Sequence, residues 1–185
     1  LGDVYKRQDI FEGGHRVPFV VKWPRKVVPG SQYDQTISLT DLFATVADLT
    51  ATTINDASGE DSVSILPVLK NENSGEPLRE ATVHHSIDGV FAIRKSNWKL
   101  IFGPGSGGWS DPLPKKARTD RLPLLQLYDL ANDPSEKYNV AEQYPAIVSE
   151  LTALMQHYVE TGRSTPGKMQ SNDTPVTFLP KPYNE

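Results

Sequence analysis

Apolar residues change their spacing along the 185-residue chain, and each change marks a different kind of element. The run FVVKW (residues 19–23) is unbroken, β-branched and closed by Pro24, the pattern of a buried strand. A loop with a Pro29-Gly30 turn follows. Leu39, Leu42, Phe43, Val46 and Ala47 then recur at i, i+3, i+4, i+7 and i+8, which predicts an amphipathic helix with one face in a core, Ser38 as its cap and Asp41 in its first turn. VSILPVL (63–69) is a short apolar docking segment. KNENSGEPLRE (70–80) turns abruptly polar with Gly and Pro, so a subdomain boundary is placed there.

From Ala81 the period becomes alternating. TVHHS and VFAIR are separated by Ile87-Asp88-Gly89, and Lys95-Ser96-Asn97 turns the chain into WKLIF, which predicts a three-stranded antiparallel meander. LLQLYDL (124–130) supplies a fourth strand after about 20 irregular residues. Ile147, Val148, Leu151, Leu154, Met155 and Tyr158 mark a helix, entered through Asn139 and Glu142 or through Pro145, stopped at Gly162 and expected across the sheet. The expected organisation is a first part over 1–72, an α+β subdomain over 73–162 and an extended tail over 163–185.

Composition narrows the function classes. The 19 basic and 23 acidic residues give a net charge of −4, which argues against a protein built to coat nucleic acid or an anionic membrane. Cysteine is absent, so thiolate metal sites and a cysteine nucleophile are excluded for these residues. No apolar run approaches the length of a membrane span, and the start at Leu1 fits a piece of a longer chain.

Several segments carry candidate chemistry. In EGGHRVP, Gly13-Gly14 allows a tight backbone path, Glu12 and Arg16 are expected to pair, and Pro18 opens the strand. Residues 103–121, GPGSGGWSDPLPKKARTDR, are read as a long structureless loop whose glycines let the backbone approach a ligand. Trp109 offers a flat face to a ring, Ser110 a hydroxyl, and Lys115, Lys116, Arg118 and Arg121 form a basic cluster in an acidic chain. A flexible surface loop with ordinary lysines is the competing interpretation. His84 and His85 alternate on a strand, so one is expected in the core as a satisfied structural histidine. Asp129, Asp133 and Glu136 lie in good turn chemistry, which is preferred to a calcium loop.

The order of these pieces is more specific than any one of them. EGGHRVP before an apolar strand and Trp-Pro, then SLTDLFATVADL and DSVSILPVL, resembles the later part of the sulfatase catalytic domain. FAIRKSNWKLIF, LYDLANDPSEKYN and GRSTPG resemble, in order, the C-terminal subdomain of the arylsulfatase-like branch. The resemblance implies an α/β protein of the alkaline phosphatase type: the end of a large α/β domain, then a small antiparallel four-stranded sheet packed with a C-terminal helix. It implies a sulfuric ester hydrolase acting through a formylglycine, made from Cys or Ser in a Cys/Ser-x-Pro-x-Arg motif, beside a calcium ion. GEPLR (75–79) lacks a nucleophile and STPGK (164–168) ends in Lys, so neither is that motif. Nucleophile and metal ligands are therefore expected in the missing N-terminal part of the domain, and the chain alone is expected to be inactive.

The resemblance further implies a sulfate-contacting cation five residues before Glu12, the position of Arg7 with Lys6 beside it. It places residues 103–121 at the active-site rim, with a sulfated small molecule or glycan as substrate and Trp109, Ser110, Lys115, Lys116 and Arg118 as its contacts. It implies a periplasmic or extracellular location. The alternatives are a non-catalytic module that binds anionic glycans or serves structure, and a phosphate or phosphonate hydrolase of the same superfamily.

Overall fold

The computed structural model describes residues 8–72 and 75–183. Two compact units divide the chain: one takes in the described parts of Leu1–Val17 and Thr174–Glu185 with Val83–Gln156, the other Pro18–Thr82 and His157–Asp173.

The first unit is built on an antiparallel sheet of four strands in sequential order, β1 (Thr82–His85), β2 (Phe91–Lys95), β3 (Trp98–Ile101) and β4 (Gln126–Asp129). The predicted meander and fourth strand are thus present. Ser96, at positive φ, and Asn97 make a two-residue turn that pairs Lys95 with Trp98. That register sets Ala92, Ile101 and Gln126 in one row and Arg94, Lys99 and Tyr128 in another. By the two-residue period of strands both rows share a face. Ile10 closes the apolar part of that face, packing with Ala92, Ile101 and Tyr128. It belongs to the segment that enters the one-turn helix α1 (Glu12–His15).

Ile93, Leu100 and Leu127 occupy the opposite face, all fully buried. The last helix, α5 (Pro145–Thr161), attaches on this side: Lys95 pairs with Glu150 at 3.0 Å and the Trp98 ring meets Tyr144 at 5.0 Å. Pro145 opens α5 where a missing N–H costs nothing, Leu151 and Met155 are its buried residues, and Gly162 at φ +64° ends it, as the sequence predicts. Before it, Asn139 Oδ1 accepts the N–H groups of Leu127 and Ala141 and so organises the turn.

Residues 103–121 differ from the structureless loop expected. Residues 103–108 are buried, and Pro114–Thr119 forms a short helix, α4. The glycines serve the protein's own packing: a Cβ on Gly105 would lie 2.6 Å from Pro112 O and 2.7 Å from Ala117 Cβ, and one on Gly107 would lie 2.6 Å from Ser86 Oγ.

The second unit contains helices α2 (Asp41–Leu49) and α3 (Leu66–Leu69). Asp41 is its organising residue: its buried carboxylate accepts the N–H groups of Ser38 and Val63 at 2.7 and 2.9 Å and pairs with Arg79. Ser38 is therefore the donor to a first-turn carboxylate, and Thr40, the residue at the cap, makes no side-chain cap bond. Two apolar expectations fail here. Residues 19–23 join no ladder among the described residues, leaving Phe19 40% and Val20 89% exposed. The α2 stripe is likewise uncovered, with Leu39, Leu42, Phe43, Val46 and Leu49 all exposed while Asp41, Thr45 and Ala47 are buried. The periodicity gave the helix correctly, but a buried face needs a neighbouring element, and none covers these residues in this unit.

Candidate functional site

The residues that the sequence singles out in the first unit gather around segment 8–15, which is held by strand-face side chains and by the loop after β3. Glu12 is the centre of one set. Its carboxylate receives Arg94 Nη1 at 2.9 Å and Lys99 Nζ at 3.2 Å, while its N–H donates to Glu136 Oε2 at 2.5 Å. Lys99 also pairs with Glu136 Oε1 at 2.8 Å and donates to Ile10 O at 2.7 Å. The expected pair of Glu12 with Arg16 does not form, because Glu12 turns toward the Arg94 and Lys99 row of the sheet while Arg16 is exposed. Two carboxylates and two cations balance, and burial pushes the Glu136 carboxyl up against the pull of Lys99.

Beside this set, the rings of His15 and His84 approach to 4.0 Å between centroids. His84 is the inward histidine and His85 the exposed one, as alternation requires. The inward residue is not satisfied as expected: Nε2 of both His15 and His84 is buried without a hydrogen-bond partner among the described residues. Burial first, then the Lys99 charge, pushes His84 down to about 2 and lowers His15. Both rings are neutral at neutral pH.

Asp9 forms the second anchor. Its buried carboxylate accepts the N–H of Trp109 at 2.6 Å, the N–H of Ser110 at 3.1 Å and the Ser110 hydroxyl. Ile10 N–H donates to Ser106 O at 2.8 Å, Ile87 N–H to Gln8 O at 2.9 Å, and a Cβ on Gly108 would overlap Asp9. The Trp109 side chain is nevertheless half exposed. Among the basic residues on α4, Lys116 pairs with Asp120, Arg118 lies 5.5 Å over the Tyr183 ring, and the Lys115 ammonium has no carboxylate partner among the described residues. Arg7 and Lys6 lie outside the described residues.

A half-open cleft of about 620 Å³ adjoins this loop, walled by Phe11, Gly13 and Tyr128 and rimmed by Asp111, Ser135 and Lys137. Its size and its mix of aromatic wall and polar rim suit a sugar-sized ligand. Among the described residues no group of three or more His, Asp or Glu is placed to hold a metal ion. Asp133 Oδ2 instead accepts the N–H groups of Lys137 and Tyr138 at 2.7 and 2.8 Å, which is turn chemistry. These side chains do not fit a calcium centre, and no described helix is long and apolar enough to cross a membrane.

Neither Asp9 nor the Arg94 and Lys99 row carries a role in a residue-by-residue reading. The row had one signal: both cations share strand parity with Ala92 and Ile101, which are core positions.

The pattern of the family described as the C-terminal region of aryl-sulfatase matches residues 78–182, more than half of the chain. The chain is similar to N-acetylgalactosamine-6-O-sulfatase of Bacteroides thetaiotaomicron, 37% identical over 149 residues, covering 79% of this chain and 28% of that protein. It is similar to arylsulfatase A of Bos taurus, 31% identical over 157 residues, covering 79% and 30%. A solved structure from work on glycosaminoglycan metabolism by Bacteroides thetaiotaomicron superposes with a TM-score of 0.64 at 37% identity, covering 79% of this chain and 29% of that one. The chain thus spans under a third of the length of these relatives. With the four-stranded sheet, its helix and the matched region in agreement, the chain belongs to the sulfatases, and residues 78–182 are their C-terminal region.

Proposed function

We propose that the chain is the C-terminal part of an arylsulfatase-like sulfuric ester hydrolase, in which residues 103–121 receive the part of the substrate remote from the sulfur. The formylglycine and calcium of such an enzyme supply nucleophile and Lewis acid, and both are assigned to residues outside these 185 because the described side chains do not fit them. Arg7, or Lys6 beside it, is assigned to the sulfate oxygens. The substrate class is a sulfated small molecule or glycan, and the expected location is the periplasm or the exterior. The missing N-terminal part of the catalytic domain is the required partner, and the chain alone is inactive.

The observation that carries this is Trp109, an exposed indole on a backbone fixed at both Trp109 and Ser110 by a buried carboxylate. A rigid, exposed aromatic face is the usual means of holding a sugar or aryl ring, and a hydroxyl already donating, as in Ser110, can still accept. Contacts of this kind bind ground state and transition state alike. In the whole enzyme Trp109→Ala is expected to raise KM for a sulfated oligosaccharide about tenfold and leave kcat within about twofold. An unchanged KM would overturn the assignment of the loop.

A further inference from the structure

We infer that Asp9 is a positioning residue that sets preference for large substrates by locking the backbone of Trp109 and Ser110 to the segment leading into Glu12. The inference rests on the proposed role of Trp109 as a substrate contact. Two successive amide N–H groups, at 109 and 110, converge on one carboxylate oxygen, and the Ser110 hydroxyl takes the other. Convergent backbone N–H groups of this kind form an anion-binding concavity. Here the anion is supplied by the protein itself, from a residue separated by 100 positions in sequence. Asp9 is 3% exposed, so the bonds are shielded from competing water.

The surroundings leave the carboxylate little freedom. Gly108 has no side chain where one would overlap Asp9, and the backbone on either side of Asp9 is tied down by Ile87 N–H on Gln8 O and Ile10 N–H on Ser106 O. Ser106 in turn accepts Gly108 N–H on its hydroxyl at 3.2 Å. The same short segment ends at Glu12, which Arg94 and Lys99 hold to the sheet. The indole is therefore referenced through two peptide groups to a segment that cannot shift without breaking buried ion pairs. A tryptophan on a free glycine-rich loop would sample many positions and bind a ring with an ordering cost, whereas a fixed one does not. Asp9 touches neither the sulfuryl group nor, in this arrangement, the ring. Its effect is expected in KM alone.

The test uses the whole enzyme carrying Asp9→Ala, Asp9→Asn and Trp109→Ala, with a sulfated oligosaccharide and 4-nitrophenyl sulfate as substrates, and hydrogen exchange of the peptide spanning 107–111. Asp9→Ala is expected to speed exchange at Trp109 and Ser110 at least tenfold, and to raise KM for the oligosaccharide about tenfold with kcat within about twofold. KM for 4-nitrophenyl sulfate should stay within about twofold. Asp9→Asn keeps an oxygen for both amides and should restore protection and KM to within about threefold of the native values. Should Asp9→Ala not fold, Asp9→Thr replaces it, with an intermediate rise expected. Unchanged exchange in Asp9→Ala, or an unchanged oligosaccharide KM while Trp109→Ala raises it, overturns the role of Asp9 alone. If Trp109→Ala itself leaves KM unmoved, the assignment of the loop fails and the inference falls with it.

Discussion

Lys99 and Glu136 meet at 2.8 Å with the lysine side chain wholly shielded from solvent. A buried cation of this kind persists only because Glu12 and Ile10 O share it, and removing one partner strands the others. Lys99→Met should therefore lower stability by about 3–5 kcal/mol in urea denaturation at neutral pH, since it leaves two carboxylates facing each other without their shared cation. Adding Glu136→Gln should return part of that loss. A single variant within about 0.5 kcal/mol of native would mean the network is worth no more than an apolar contact.

Stability should also fall as the solution is acidified. His15 and His84 have folded pKa values below the ordinary 6.5, so their contribution is fully present above pH 6.5 and is lost as pH drops toward the folded values. In that window the unfolded chain binds protons that the folded chain refuses. Lys99 and Arg94 oppose a charge on these rings, while Glu12 favours one on His15. The slope should approach about 1.4 kcal/mol per pH unit for each histidine. His84→Phe should flatten the profile between pH 6.5 and 5, and an unaltered slope would remove His84 from the account.

The second unit predicts a contrast between the chain alone and the whole enzyme. Leu42 and Val46 lie on the uncovered stripe of α2 and are 43% and 56% exposed. In the isolated 185 residues, Leu42→Gln with Val46→Gln should change stability by under about 0.5 kcal/mol for each site and reduce aggregation measured by light scattering. In the whole enzyme the same pair should cost about 2 kcal/mol or more, because the proposed remainder of the catalytic domain covers that stripe. Equal effects in both settings would argue that nothing packs there.

These contrasts also show what the sequence carried. The meander was legible because its strands alternate and its turns have Gly89 and Ser96-Asn97, which depend only on local conformation. Helix α5 was legible down to Pro145 and Gly162 for the same reason. Residues 19–23 and the α2 stripe misled because periodicity states which face wants burial and not whether a partner is present. The site split the same way. Trp109 and the lysines stand out by composition, but Asp9, Lys99 and Glu136 owe their roles to pairings across 100, 89 and 124 positions, for which no local signal exists.

The basic residues of α4 should contribute unequally to substrate binding, in an order set by their partners. Lys116 already shares its charge with Asp120, which holds its pKa above the ordinary lysine value, and Arg118 is drawn over the Tyr183 ring. Lys115 has no carboxylate partner among the described residues and is exposed, so its field is the least compensated. For a polysulfated oligosaccharide, Lys115→Gln is therefore expected to raise KM about threefold, Arg118→Gln about twofold and Lys116→Gln hardly at all, with kcat unchanged throughout. The three effects should shrink together in high salt, since exposed charges beyond about 10 Å are screened at 0.1 M. KM for 4-nitrophenyl sulfate, which has no further anions to meet these cations, should not respond. A fall in kcat of about 100-fold on both substrates would instead put these side chains at the sulfuryl group, where charge develops in the transition state.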